Sequence, residues 1–378
     1  MEGVITQSFK RNLYILQIIG LYPTPEYKSL HRIFCYSIYS VAMLPQFVLT
    51  LVKIFKDGRD QNSFISTALV VLAVKYLYFL VKCDDLKATI DYFDEKFVRG
   101  WNVKQILITD MCIARSRNLC NVFFVGVVLG LCGWVAALGF QNYCSNLPLG
   151  VWFPYSCEAQ PGLYACIYSI CIIAVLYSGF ACAAVDTLAS GLLYLAVGQL
   201  QILKDSLENL DKNIEHEKTK SSNSESVYNY IVNCILHYND ILEFTDKYKN
   251  CFSGVVFTQF LESVMAIGLC CLDIIKEKEI NASFLISLNY LFLLLFQVYF
   301  YCYFGTLLAE ENNTVPNAIY MSKWYDYSKE CQKLLIILME RSKRPLILNV
   351  GKIVELSLVT FTTILKRSYS IICVFRTS

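Results

Sequence analysis

The closing residues 352–378 read KIVELSLVTFTTILKRSYSIICVFRTS. A helix needs roughly 20 residues to cross a bilayer, so this stretch is long enough to span. Lys366 and Arg367 stand in its middle. Charge at membrane depth is costly and usually faces water or a bundle interior. On a helix, Thr363, Arg367, Ser370 or Ile371, Val374 and Thr377 fall near one face. Hydroxyls and cations along one flank of an apolar helix suggest the wall of an aqueous pore. The competing reading is an ordinary bundle helix whose two cations snorkel towards headgroups.

The rest of the chain supports a membrane setting. Of 378 residues, 56% are hydrophobic and 17% charged, with a mean hydropathy of +0.45, too apolar for an ordinary soluble protein. Six further apolar stretches precede the closing one, at 33–52, 64–82, 119–140, 163–185, 251–272 and 283–308. Pro45 in the first is tolerable as a kink. The predicted fold is an all-α membrane protein with seven transmembrane helices. The stretch 13–23 is apolar but too short to span, and is expected to lie along the interface as an amphipathic helix. Residues 204–225 read as a charged, Ser/Asn-rich mobile connection. The stretches 228–250 and 325–340 have helical periodicity outside the spans.

Lys and Arg set the orientation. The arm 1–32 and the connections 82–118, 191–250 and 306–352 hold 24 of them; the connections 53–62, 142–162 and 273–282 hold 5. The first set is cytosolic by the positive-inside bias, which puts the N-terminus inside and the C-terminus outside. The sequon at Asn281 then lies outside, open to glycosylation, and the one at Asn312 lies inside. Three units follow: 1–203 (arm and first four spans), 204–250 (cytosolic connection and helix) and 251–378 (last three spans with their cytosolic helices).

Several function classes are excluded. No GxSxG, HExxH or phosphate loop is present, so no enzyme and no cofactor is expected. Three His with no second ligand at helical spacing argue against a metal, and a net charge of +2 argues against nucleic acid. Most of the 17 Cys are expected to be small buried hydrophobes; Cys144 and Cys157, in the outer connection, are either free or bridged.

Four segments carry a family resemblance: LPLGVWFPYS before the fourth span, QVYFYCYFGTLL in the sixth, AIYMSKWYDYSKECQKLLIILMERSKRPL, and ILKRSYSIICVFR in the last. Together they resemble the insect odorant receptors, over essentially the whole chain. The resemblance implies a subunit of a tetrameric, odorant-gated, non-selective cation channel in the plasma membrane of olfactory sensory neurons, partnered by an invariant co-receptor. The co-receptor has a long insertion in the fourth-to-fifth connection. This chain has a short one and is similar to the ligand-tuning subunits. A gustatory receptor of the same architecture is the first alternative, although its closing motif is absent. A metabotropic seven-helix receptor is the second, and the inverted charge bias weighs against it.

By the resemblance, Val374 matches the apolar ring near the pore's outer end, which gates by dewetting. Thr377 and Ser378 lie at or past the ring, and Ser370 and Ile371 a turn below it. A volatile ligand needs a mostly apolar cavity with one or two polar anchors, placed in the bundle's outer half. Val127, Gly130, Trp134 and Ala137 fall on one stripe of the third span, where small residues make room. Facing them are placed Thr67, Val71 and Lys75 of the second span, and Tyr168, Cys171, Ile172 and Val175 of the fourth. Tyr290, Leu291 and Leu294 of the sixth complete the set. Lys75 and Glu262 are interior charges that pair, with each other or with other groups, or face a vestibule. Asp186 is expected to face cytosolic water.

Overall fold

The computed structural model describes residues 5, 8–22, 33, 37, 48, 63–97, 102–139, 160–210, 223–276 and 282–377, with the side chains of 63–73, 76, 80, 223–226, 276, 282–283 and 374–377 outside the description. The first predicted span, the connection with Cys144 and Cys157, most of 204–225, Asn281 and Ser378 therefore lie outside the described residues.

Eight α-helices carry the described fold: α1 (Lys10–Ile19), α2 (Ser63–Lys96), α3 (Val103–Gly139), α4 (Pro161–Glu208), α5 (Asn223–Lys276), α6 (Ala282–Met321), α7 (Lys329–Ser342) and α8 (Leu358–Thr377). Among the described residues, the helices Val103–Gly139, Pro161–Glu208, Val227–Ile275 and Phe284–Met321 are long and apolar enough to cross a membrane. Each outruns its apolar stretch: α5 has 54 residues and α6 has 40.

The core follows α4. From Ala183 to Leu207 nearly every side chain is buried, including Leu188, Leu192, Leu200 and Leu203. A helix apolar on all sides must be enclosed on all sides. α2 and α5 join through aromatic pairs, Phe79–Phe252 at 5.8 Å and Phe93–Phe244 at 5.1 Å between ring centroids. Such pairs contribute about 0.5–1.5 kcal/mol each beyond their buried area.

α1 corrects the expectation of a helix lying on the interface. Leu13, Leu16 and Ile19 are buried, and Asn12 Nδ2 donates to Ala184 O at 3.2 Å and Thr187 Oγ1 at 2.6 Å on α4. Its apolar face meets protein, and the buried amide is satisfied by α4's backbone. Tyr177 Oη donates to Ile19 O at 2.9 Å and closes the far end.

At the other end of the bundle Asn312 ties three helices together. Tyr238 Oη of α5 donates to its Oδ1 at 2.9 Å, and its Nδ2 donates to Ser342 O and Arg344 O at 3.1 Å each. Asn312 is fully buried, so its sequon is closed to glycosylation. α7 opens on Ser328, whose hydroxyl accepts from Cys331 N at 3.4 Å, a signal that starts the helix later than periodicity alone predicts.

The closing stretch is not one helix from 352. Asn349–Val350 and Val354–Glu355 form a two-stranded antiparallel hairpin, with Val350 opposite Val354. Gly351 and Lys352 turn it, at φ 59° and 63°, and Ile353 N donates to Val350 O at 3.3 Å. Two successive left-handed residues make a type I′ turn, which glycine accepts without strain. The helix starts only at Leu358, whose N–H donates to Thr306 Oγ1 at 2.9 Å.

Candidate functional site

Asp186 is the largest correction to the sequence reading. It is 2% exposed, not in water, and lies at the centre of a polar cluster drawn from four helices. Lys75 Nζ of α2 stands 3.3 Å from Asp186 Oδ1. Tyr301 Oη of α6 donates to the same oxygen at 2.9 Å, and Cys182 Sγ to Oδ2 at 3.0 Å. Gln297 Nε2 of α6 also donates to Oδ2, and Lys75 Nζ donates to Gln259 Oε1 of α5. Gln259 Nε2 in turn donates to Ser263 Oγ at 3.2 Å. Glu262, one turn from Gln259, interacts with Lys75, Gln259 and Tyr290. The interior charges thus pair mainly as Lys75–Asp186, with Glu262 as a close neighbour. A buried ion pair is tolerable only when its remaining lone pairs and protons are satisfied, and here they are. Sequence reasoning missed Gln259, Gln297 and Tyr301. The signal was available: amides inside apolar windows such as LFLLLFQVYF mark bundle-facing positions.

The predicted ligand stripe is placed as follows. Lys75 and Tyr290 join the cluster just described. Val127, Cys171 and Leu294 are buried, and Trp134, Ala137, Tyr168, Ile172, Val175, Tyr290 and Leu291 are half-buried. Thr67 and Val71 lie in α2 with their side chains outside the description. The space at Gly130 is taken by Asn289, whose Nδ2 donates to Gly126 O at 3.4 Å, so this glycine admits a neighbouring side chain. A Cβ at Gly133 would stand 3.9 Å from Ile286, an ordinary contact. Tyr168 packs near Tyr164, at 6.5 Å between centroids, in a small separate cluster at the start of α4.

A crevice opens between α3, α4 and α6 on the other side of Asp186. It is narrow, with Phe123, Phe296, Phe300 and Phe304 on its walls.

α8 has two distinct faces. Ile364 and Ser368 are buried against α5, where Ser368 Oγ donates to Val264 O at 3.0 Å. Ile371 lies on this side too: a Cβ at Gly268 would meet its Cγ2 at 3.0 Å. Val359, Thr363, Lys366, Arg367, Ser370 and Cys373 are exposed. Of the predicted pore residues, Ser370 therefore faces away from the bundle and Ile371 towards α5. Val374 and Thr377 continue the helix.

The helices, the buried charge cluster and the two-faced final helix define a polytopic membrane bundle. Comparison with known proteins is consistent with this. The family model described as 7tm Odorant receptor matches residues 60–369, and the chain belongs to that family. It is a multi-pass membrane protein and not an enzyme. Odorant receptor Or1 of Anopheles gambiae is 24% identical, over 98% of this chain and 95% of its own length. Odorant receptor 23a of Drosophila melanogaster is 27% identical, over 84% and 82%. The solved insect olfactory receptor OR5 from Machilis hrabei shares the fold at a TM-score of 0.84 and 15% identity, covering 98% of this chain and 97% of that one. A second structure of that receptor, in complex with eugenol, also gives 0.84.

Proposed function

We propose that this chain is the ligand-tuning subunit of an odorant-gated, non-selective cation channel. It assembles with an odorant receptor co-receptor, as a tetramer, in the plasma membrane of olfactory sensory neurons. The N-terminus is cytosolic and the C-terminus extracellular. The single observation that carries the reading is the division of α8 into a face seated on α5 and a polar, cationic face that the bundle leaves uncovered. Exposed hydroxyls and cations on a helix at membrane depth need water, and a pore shared with sister subunits supplies it.

The ligand cavity lies in the outer half of α2, α3, α4 and α6. Trp134, Tyr168 and Tyr290 supply aromatic walls and phenol anchors, with Val127, Cys171 and Leu294 as apolar lining. Filling it favours the arrangement in which α6 and α8 splay and the ring at Val374 widens. The α5 and α6 extensions with α7 form the cytosolic anchor, and 1–203, 204–250 and 251–378 remain the units of this reading. Driving a channel from about 1% to 99% open takes about 5.5 kcal/mol of differential binding, so one volatile in one subunit gives partial opening. Co-expression with the co-receptor and recording of odour-evoked current is the test. The expected current persists when G-protein signalling is blocked; its loss under that block would favour a metabotropic receptor.

A further inference from the structure

We infer that the crevice between α3, α4 and α6 is a second binding site, for a small neutral amphiphile with an apolar body and one hydrogen-bonding group. Four phenylalanines shape the apolar part. Phe123 stacks on Phe296 at 5.7 Å and 27°, and Phe296, Phe300 and Phe304 follow one another at 4.2 and 5.5 Å between centroids. The polar part comes from Ser116, which is 1% exposed, lines the crevice, and has a buried Oγ with no hydrogen-bond partner in the structure. A buried hydroxyl left without a partner is costly, and a ligand group that meets it recovers that cost. The other hydroxyls of the lining are engaged: Thr187 donates to Ala183 O at 2.5 Å and Ser190 to Asp186 O at 2.8 Å.

Charge chemistry argues for a neutral guest. Asp186 touches the crevice, but its carboxylate already faces Lys75 and accepts from Tyr301, Gln297 and Cys182. An ion of either sign would have to shed its water against aromatic rings and an already paired carboxylate, with no free counter-charge in the lining to offset that cost.

The site is distinct from the outer cavity. Along α3 it uses 116–123, ahead of Val127–Ala137 of the ligand stripe; along α4, 186–191, beyond Tyr168–Val175; along α6, 296–304, beyond Tyr290–Leu294. On all three helices the crevice is therefore displaced along the bundle from the ligand stripe, and it borders the Lys75–Asp186 cluster through Asp186 and Gln297. The aromatic ladder of α6 also reaches α8, where Tyr299 meets Phe361 edge-on at 5.7 Å. An occupant would bear on the α6–α8 contact and so modulate the response to an odorant without competing for its cavity. That last consequence rests on the channel reading; occupancy itself does not.

The test is photolabelling of the full chain, co-assembled with co-receptor in vesicles, by a diazirine-bearing octanol, with the adducts mapped by mass spectrometry. Adducts are expected within 116–123 and 296–304. Ser116→Ala folds normally, because it removes an unmet polar group, and lowers labelling about five-fold, the worth of one hydrogen bond. Cys120→Phe fills the crevice and abolishes it. Unlabelled octanol and a diacylglycerol in the vesicle distinguish a volatile from a lipid guest, and protection by either supports the site. No adducts within 116–123 or 296–304, protection there by neither, or labelling there unchanged in Ser116→Ala overturns it. Adducts within 116–123 and 296–304 are read apart from any within 127–137, 168–175 and 290–294, so failure here is separable from failure of the outer cavity.

Discussion

Lys75 Nζ and Asp186 Oδ1 stand 3.3 Å apart between α2 and α4, with side chains only 5% and 3% exposed. The same cluster reaches α5 through Gln259 and Ser263, and the next residue, Val264, holds α8 through Ser368. The bundle that would receive ligand and the helix that would line the pore are therefore joined by a short run of polar contacts.

Breaking this pair one side at a time strands a charge in a low-dielectric core. Lys75→Met or Asp186→Leu alone should destabilise the protein by about 3–5 kcal/mol, whereas removing both should recover most of the loss. Thermal unfolding of the detergent-solubilised protein reads this directly. A double variant no more stable than either single one would remove the ion pair as the organising contact.

α8 is seated closely at Gly268, where an added Cβ would lie 3.0 Å from Ile371 Cγ2 and 3.4 Å from Ser368 O. Overpacking of this kind costs about 1–3 kcal/mol. Gly268→Leu should loosen α8 from α5, and faster amide exchange over 358–373 is the expected readout. Unchanged exchange there would mean that another contact holds the helix.

How much of this was legible beforehand depends on the type of signal. Apolar length and Lys/Arg bias reveal spans without reference to partners, so α3 to α6 could be read directly. The hairpin before α8 was hidden because two strand residues on each side of Gly351 give no periodicity to read. α1 has the apolar face of an interfacial helix, and only Asn12, a polar residue on that face, hints that it docks on protein instead. Lys75, Glu262 and Asp186 stood out as charges, but which of them pair depends on helix rotation, which sequence does not encode locally. Gly130 shows the same limit: a small residue makes room for either a ligand or Asn289.

His237 gives a pH dependence. It lies on the polar half of α5, ahead of the apolar 251–272, with Phe97 at 5.7 Å between ring centroids and Gln199 Oε1 3.1 Å from Nε2. Burial lowers its pKa from the usual 6.5 to about 4. The folded state thus favours the neutral ring. Its stabilising contribution is complete above pH 6.5 and is lost as pH falls towards 4, by roughly 2–3 kcal/mol. His237→Gln should flatten the fall in unfolding temperature across that window; a parallel fall in the variant would assign the acid sensitivity to other groups.

The gate and the outer cavity can be tested separately. Val374 lies in the last turn of α8, beyond Ser370 on the helix that carries the uncovered face. If a narrow apolar ring there blocks ions by dewetting, a lysine side chain keeps a fixed positive charge in the cation path even when the ring widens. Val374→Lys should therefore abolish odour-evoked current while surface delivery, measured by biotinylation, stays intact; unchanged current would remove Val374 from the gate. Tyr290 stands against Glu262, beside the cluster that leads to α8. Tyr290→Ala removes an aromatic wall and a phenol anchor, each worth about 1 kcal/mol, so the half-maximal odour concentration should rise by about ten-fold or more with the maximal current retained. An identical dose–response would take Tyr290 out of the cavity. A lower maximum at unchanged sensitivity would place it in the coupling path instead.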